Sequence, residues 1–181
     1  MVRKNIKGAV LAEVVMIVFI VAMFTSIVIF NLAGRAYESG FKAKAHDLAK
    51  LFKMAVTSAA ESGRRYEVVL DFSSNSYLLR EITTGLVAVE DIAEEEIIIV
   101  GDFDDNFQLS YVMFDDGEIT NEAPALFRVG KSGWQYGGKV VLLDGDGNEH
   151  SIVINRLSRM IEIVRGDPEI LMPRSEEEMA F

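Results

Sequence analysis

The chain has 181 residues, with 18 Lys+Arg against 28 Asp+Glu and no cysteine, for a formal net charge of -10. That length leaves room for one globular domain beside a long helix. The acidic balance excludes a nucleic-acid footprint, which needs clustered cations, and the missing cysteines exclude disulfides and thiolate metal sites.

The chain begins with Arg3, Lys4 and Lys7, then Gly8, then an apolar run. From Ala9 to Ala33 the only ionisable side chain is Glu13. As a helix at ~1.5 Å per residue this run reaches roughly 37 Å, more than a ~30 Å hydrocarbon core. It predicts a transmembrane segment over residues 9–33, with the basic cluster on the cytoplasmic side. The run is too long for the core of a cleavable secretory signal, which is about 7–15 residues. A carboxylate at the centre of such a helix costs on the order of 2.5–3.5 kcal/mol, so Glu13 needs a partner. Cutting the chain between Gly8 and Ala9 would create an α-ammonium four residues before Glu13, one turn away on the same face.

The helical pattern continues over residues 34–62 with a second character. Phe41, Ala45, Leu48, Phe52, Ala55 and Ala59 recur at threes and fours, while Lys42, Lys44, Asp47, Lys50 and Lys53 fall on other faces. Ser62-Gly63 supplies the stop. Strands follow over a β-rich region, residues 63–173. Tyr66 to Phe72 and Tyr77 to Ile82 flank a polar turn and predict a hairpin. Ile97–Val100, Phe107–Phe114, Ala125–Val129, Gly138–Leu143, Ser151–Asn155 and Arg159–Val164 are further predicted strands. The segment Glu90–Glu96 reads as an acidic loop or short helix, and residues 174–181 as a flexible acidic tail.

The order Arg3-Lys4-Asn5-Ile6-Lys7-Gly8, then Ala9-Val10-Leu11-Ala12-Glu13-Val14, resembles a type IV prepilin-class signal. Two departures from that pattern occur: Ala9 stands where Phe or Met is usual, and Leu11-Ala12 replaces the usual Thr-Leu. The stretch Ala45 to Tyr77 and the ending Val153-Ile154-Asn155-Arg156-Leu157 are similar to the minor pseudopilin H and FimT-like branch. The resemblance implies an α+β pilin-like fold, in which one long N-terminal helix packs its amphipathic half on an antiparallel β-sheet domain. It implies a leader over residues 1–8, cleavage after Gly8 by a prepilin peptidase, methylation of Ala9, and assembly through Glu13. It further implies a structural minor pseudopilin of type II secretion, single-pass in the bacterial inner membrane, with its C-terminal domain periplasmic. Partners would be other pseudopilins or pilins, with no cofactor. The alternatives are a minor type IV or competence pilin, which often carries the cysteine pair missing here, and a membrane-anchored binding module.

Other motifs carry less chemistry. Gly130-Lys131-Ser132 fails the phosphate-loop pattern, because Ala125 stands where its first Gly belongs. Asp144, Asp146 and Asn148 have the opening spacing of a calcium loop, but Glu149 replaces the Gly that follows, so a solvated turn is expected there, with weak calcium binding by the oxygen-rich turn as the alternative. His46 and His150 have neither triad nor metal spacing and predict surface positions. Trp134 reads equally as a contact anchor or as core. No nucleophile, base and orienter fall together, so no enzyme is expected.

Overall fold

The computed structural model describes residues 6–83, 85, 87–104, 107–170 and 172, without the side chains of residues 6–11 and 27–39. One helix, α1, spans Ile6–Ser62. The chain divides into two compact units, Met1–Gly40 and Phe41–Phe181.

In the second unit, the helical residues Phe41, Ala45, Leu48, Phe52, Ala55 and Ala59 are all buried, while Lys42, Asp47, Lys50 and Lys53 are exposed. Spacing at threes and fours puts the first set on one stripe, and burying a residue such as Leu48 or Phe52 contributes about 1.5–3 kcal/mol. The helix stops at Gly63, which adopts φ 71° and donates its N–H to the Ala59 carbonyl at 3.0 Å. A left-handed glycine at this place satisfies a carbonyl that the helix itself leaves open.

Among the described residues ten strands follow: β1 Tyr66–Asp71, β2 Ser76–Glu81, β3 Ile97–Asp102, β4 Phe107–Phe114, β5 Ile119–Thr120, β6 Ala125–Gly130, β7 Gly133–Trp134, β8 Gly138–Asp144, β9 Glu149–Ile154 and β10 Ile161–Arg165. They form two five-stranded sheets, ordered β3-β2-β1-β6-β7 and β10-β9-β8-β4-β5, and every pairing is antiparallel. Both sheets and the helical stripe share one hydrophobic cluster, in which Val68, Leu70 and Phe127 belong to the first sheet and Val140, Leu142 and Ile152 to the second. Alternation explains the faces: Tyr66, Val68 and Leu70 turn into the cluster, so Glu67 and Val69 must lie on the other side. Gly138 is needed where β4 and β8 meet, because a Cβ there would stand 2.4 Å from the Met113 carbonyl oxygen.

Two expectations are corrected. The pilin-like fold class had one sheet and a transmembrane apolar helix; two sheets are present, and among the described residues no helix is long and apolar enough to cross a membrane. The single-pass inner-membrane placement with a periplasmic domain falls with that segment. The acidic segment forms two 3-10 turns, Val89–Asp91 and Glu94–Glu96. Residues 1–5 and 173–181, which include most of the expected leader and the whole expected tail, lie outside the described residues.

Candidate functional site

The expected processing residues Gly8 and Ala9 fall within α1, and their side chains lie outside the described set. Glu13 is helical and exposed. Beyond it the helix presents apolar side chains to solvent on all sides, from Val14 at 52% and Phe19 at 69% to Phe24 at 64% exposed. Thr25 and Ser26 donate their hydroxyls to the carbonyls of Val21 and Ala22, at 2.7 and 2.9 Å, so even these polar groups are spent within the helix.

The Asp144 turn is closed upon itself. Asp144 Oδ1 accepts from the backbone N–H groups of Asp146 (3.0 Å) and Asn148 (2.8 Å), and both its oxygens accept from Asn148 Nδ2. Burial acts to raise the Asp144 pKa, but the hydrogen bonds from Asn148, Asp146 and His150 outweigh it and hold the carboxyl below its ordinary range. With these lone pairs occupied, the Asp144 carboxylate serves the turn itself. No cluster of three or more metal-ligating side chains occurs among the described residues.

His46 is exposed, as its helical position predicts. His150 departs from the surface expectation: its side chain is 13% exposed, its ring lies 4.3 Å from that of Phe41, and Nε2 is 3.4 Å from Asp144 Oδ2. Its packing partner comes from the helix, which hairpin spacing could not reveal. Gly130 ends β6 and Lys131-Ser132 form the β6–β7 connection, which no helix follows among the described residues. Trp134 is core, with its ring 5.6 Å from Phe52 and 6.4 Å from Phe127.

Three polar groupings emerge that the sequence reading did not assign. On the outer face of the first sheet, Glu67, Arg80 and Arg128 stand side by side on β1, β2 and β6, in direct cross-strand register. Arg80 Nη2 and Nε reach Glu67 Oε2 at 2.6 and 2.7 Å, Arg80 Nη1 reaches Glu96 Oε2 at 2.9 Å, and Arg128 Nε reaches Glu67 Oε1 at 2.6 Å. Glu96 Oε1 also accepts from the Thr83 hydroxyl and N–H, which ties both ends of the 83–96 connection to this network. A single charge placed inside an apolar strand was the available signal.

On the second sheet, Lys139 is buried and pairs with Asp167, donates to the Pro168 carbonyl at 2.9 Å, and stands 5.7 Å over the Tyr111 ring. Tyr111 donates to Asp167 Oδ2. Burial works against the charged forms of Lys139 and Asp167, yet their contact prevails, raising the lysine pKa and lowering that of the aspartate. This group clips the chain after β10 onto the sheet. The clipped segment then forms one wall of a cavity of about 390 Å³, together with Asp115, Arg156 and Val153. Asp115 Oδ1 is buried without a hydrogen-bond partner among the described residues, while Oδ2 is 3.7 Å from Arg156 Nε.

The third grouping surrounds Trp134. A cavity of about 340 Å³ is lined by Arg65, Ile82, Arg128, Ser132 and Trp134, among others. The indole Nε1 is buried and has no acceptor among the described residues.

Compared with family models, curated proteins and solved structures, the chain matches none.

Proposed function

We propose that this protein is a structural subunit of a helical assembly of the type II secretion pseudopilus kind, processed between Gly8 and Ala9 and joined to its neighbours through the N-terminal helix. The observation that supports this reading is the uninterrupted apolar surface over residues 14–24, whose large side chains are 45–69% exposed. Surfaces of this size on an isolated chain mark a contact with another molecule, because water drives them together. Helices gathered along this surface would enclose Glu13 in a medium of low dielectric, where a carboxylate requires a cationic neighbour. The Ala9 ammonium of a processed chain, one helical turn away in sequence, is a cation of suitable position. The missing cysteines favour a secretion pseudopilin over a minor type IV or competence pilin.

The test compares wild type with Glu13→Ala for capture of other pseudopilins by co-purification and cross-linking. Wild type captures them and Glu13→Ala fails to, while the Phe41–Phe181 unit keeps its circular dichroism spectrum. Equal capture by both chains removes the assembly role.

A further inference from the structure

An acidic protein concentrates positive charge around one of its cavities. Arg65 and Arg128 line the Trp134 cavity, and Lys131 lies in the β6–β7 connection beside it. Arg159 Nη2 donates to the Lys131 carbonyl at 3.2 Å, and Arg156 Nη1 approaches the Gln135 carbonyl at 3.4 Å. Five of the chain's 18 Lys+Arg therefore surround a single connection, in a protein whose net charge is -10. Their neutralisation is incomplete. Arg128 has Glu67, and Arg156 has Asp115 only at 3.7 Å. Among the described residues, no hydrogen bond or ion pair reaches the Arg65 guanidinium.

The cavity wall adds an independent sign. Trp134 is 4% exposed, yet its Nε1–H has no acceptor among the described residues, although buried indole N–H groups usually find one. An unmade hydrogen bond at a buried donor costs on the order of the group's desolvation, so a shift of the Trp134 ring that brought this N–H to an acceptor in the cavity would be favoured. Ile82 and Val129 give the same cavity an apolar side. Gly133, at φ 112°, shapes the tight connection that carries Ser132 and Trp134 into the wall.

We propose that this cavity is a docking site for an acidic peptide segment of a partner, with a carboxylate held by Arg65 and an adjoining apolar side chain against Ile82 and Trp134. Guanidinium groups bind carboxylates in a bidentate manner, and Trp with Arg is the composition in which interface energy concentrates. A nucleic-acid backbone fits poorly, since the protein's overall negative charge repels a long polyanion while a short carboxylate segment meets only the local field. This site is separate from the helix surface on which the assembly reading rests, so either can fail alone.

Trp134 is the only tryptophan, so its fluorescence reports on the site. The full chain is titrated with a hexapeptide alternating glutamate and phenylalanine, and with its glutamine counterpart. The glutamate peptide produces a saturable emission change, and the glutamine peptide binds at least tenfold more weakly. Arg65→Gln, at an exposed position, lowers glutamate-peptide affinity at least tenfold with an unchanged circular dichroism spectrum. The proposal is overturned by equal binding of the two peptides, by no saturable change, or by tighter binding of a single-stranded oligonucleotide or inorganic phosphate. Binding that appears only after removal of residues 174–181 also overturns it, because the chain's own Glu176, Glu177 and Glu178 would then be the occupant.

Discussion

Arg80 and Glu67 face each other across β1 and β2, joined at 2.6 Å, with side chains each 1% exposed. Glu67 is shared with Arg128, and Arg80 with Glu96, so two anions and two cations are laid across three strands and the connection that follows β2. Desolvating such a group costs several kcal/mol per ion, which only complete pairing offsets. The arrangement fixes where the 83–96 segment lies, because Thr83 and Glu96 are bound at its two ends.

Arg80→Met therefore leaves Glu67 with Arg128 alone and Glu96 without its guanidinium. The expected loss is about 3–5 kcal/mol, the cost of breaking a buried pair from one side. Adding Glu67→Gln and Glu96→Gln to Arg80→Met recovers part of it, because the stranded charges are gone. Urea unfolding of the single and triple variants measures both. A single variant within 0.5 kcal/mol of wild type, about the size of an ordinary surface change, would contradict the role given to this network.

The clip at Asp167 makes stability depend on pH in a defined direction. Its folded pKa lies below the ordinary 3.8, so its contribution is fully present above pH 3.8 and is lost as pH falls through the folded pKa. Lys139 has a folded pKa above the ordinary 10.5, so its contribution is complete below that pH and is lost as pH rises through the folded pKa. Asp167→Asn should lower the melting temperature at neutral pH and reduce the acid loss below pH 3.8. Melting curves from pH 2 to 7 compare the two chains, and parallel acid profiles would show that Asp167 carries none of the loss.

Legibility in the sequence followed periodicity. The stripe from Phe41 to Ala59 is buried because spacing at threes and fours is a local property of a helix. Phe107–Phe114 forms a strand with the bounds its alternation predicts. Two-residue strands such as Ile119–Thr120 and Gly133–Trp134 are too short to alternate and went unread. Division into two sheets was also hidden, because β4 pairs with β8 and β1 with β6 across long stretches of chain. The polar groupings depend on the same pairings: Glu67 meets Arg128 only because β1 and β6 are neighbours. Cavities around Trp134 and Asp115 arise where several elements meet, and no single segment carries a sign of them.

Leu48→Asp tests the helical stripe. Leu48 is fully buried in the shared cluster, and an aspartate there would be an unpaired charge among apolar side chains. The penalty should exceed about 3 kcal/mol and unfold the Phe41–Phe181 unit or nearly so. Lys50→Ala on the exposed side serves as the control; it loses only the surface contact of Lys50 with Asp47 and should cost no more than about 1 kcal/mol. Circular dichroism melts separate the two, and an equal melting temperature for Leu48→Asp and wild type would place Leu48 outside the core.

Gly8→Val tests processing apart from assembly. Co-expression with an active prepilin peptidase should shorten the wild-type chain by the eight leader residues and leave an Ala9 amine. A branched side chain at position 8 would crowd a cleavage site that accepts the smallest residue, so Gly8→Val should keep its full mass. Glu13→Ala should still be cut, because Glu13 lies more than one helical turn beyond the scissile bond. Intact-mass spectrometry distinguishes the three chains. Shortening of wild type and Glu13→Ala but not of Gly8→Val supports a leader read at Gly8. If the wild type keeps its mass beside an active peptidase, the basic leader and Glu13 must be explained without cleavage, and the partner assigned to Glu13, the Ala9 ammonium, does not exist.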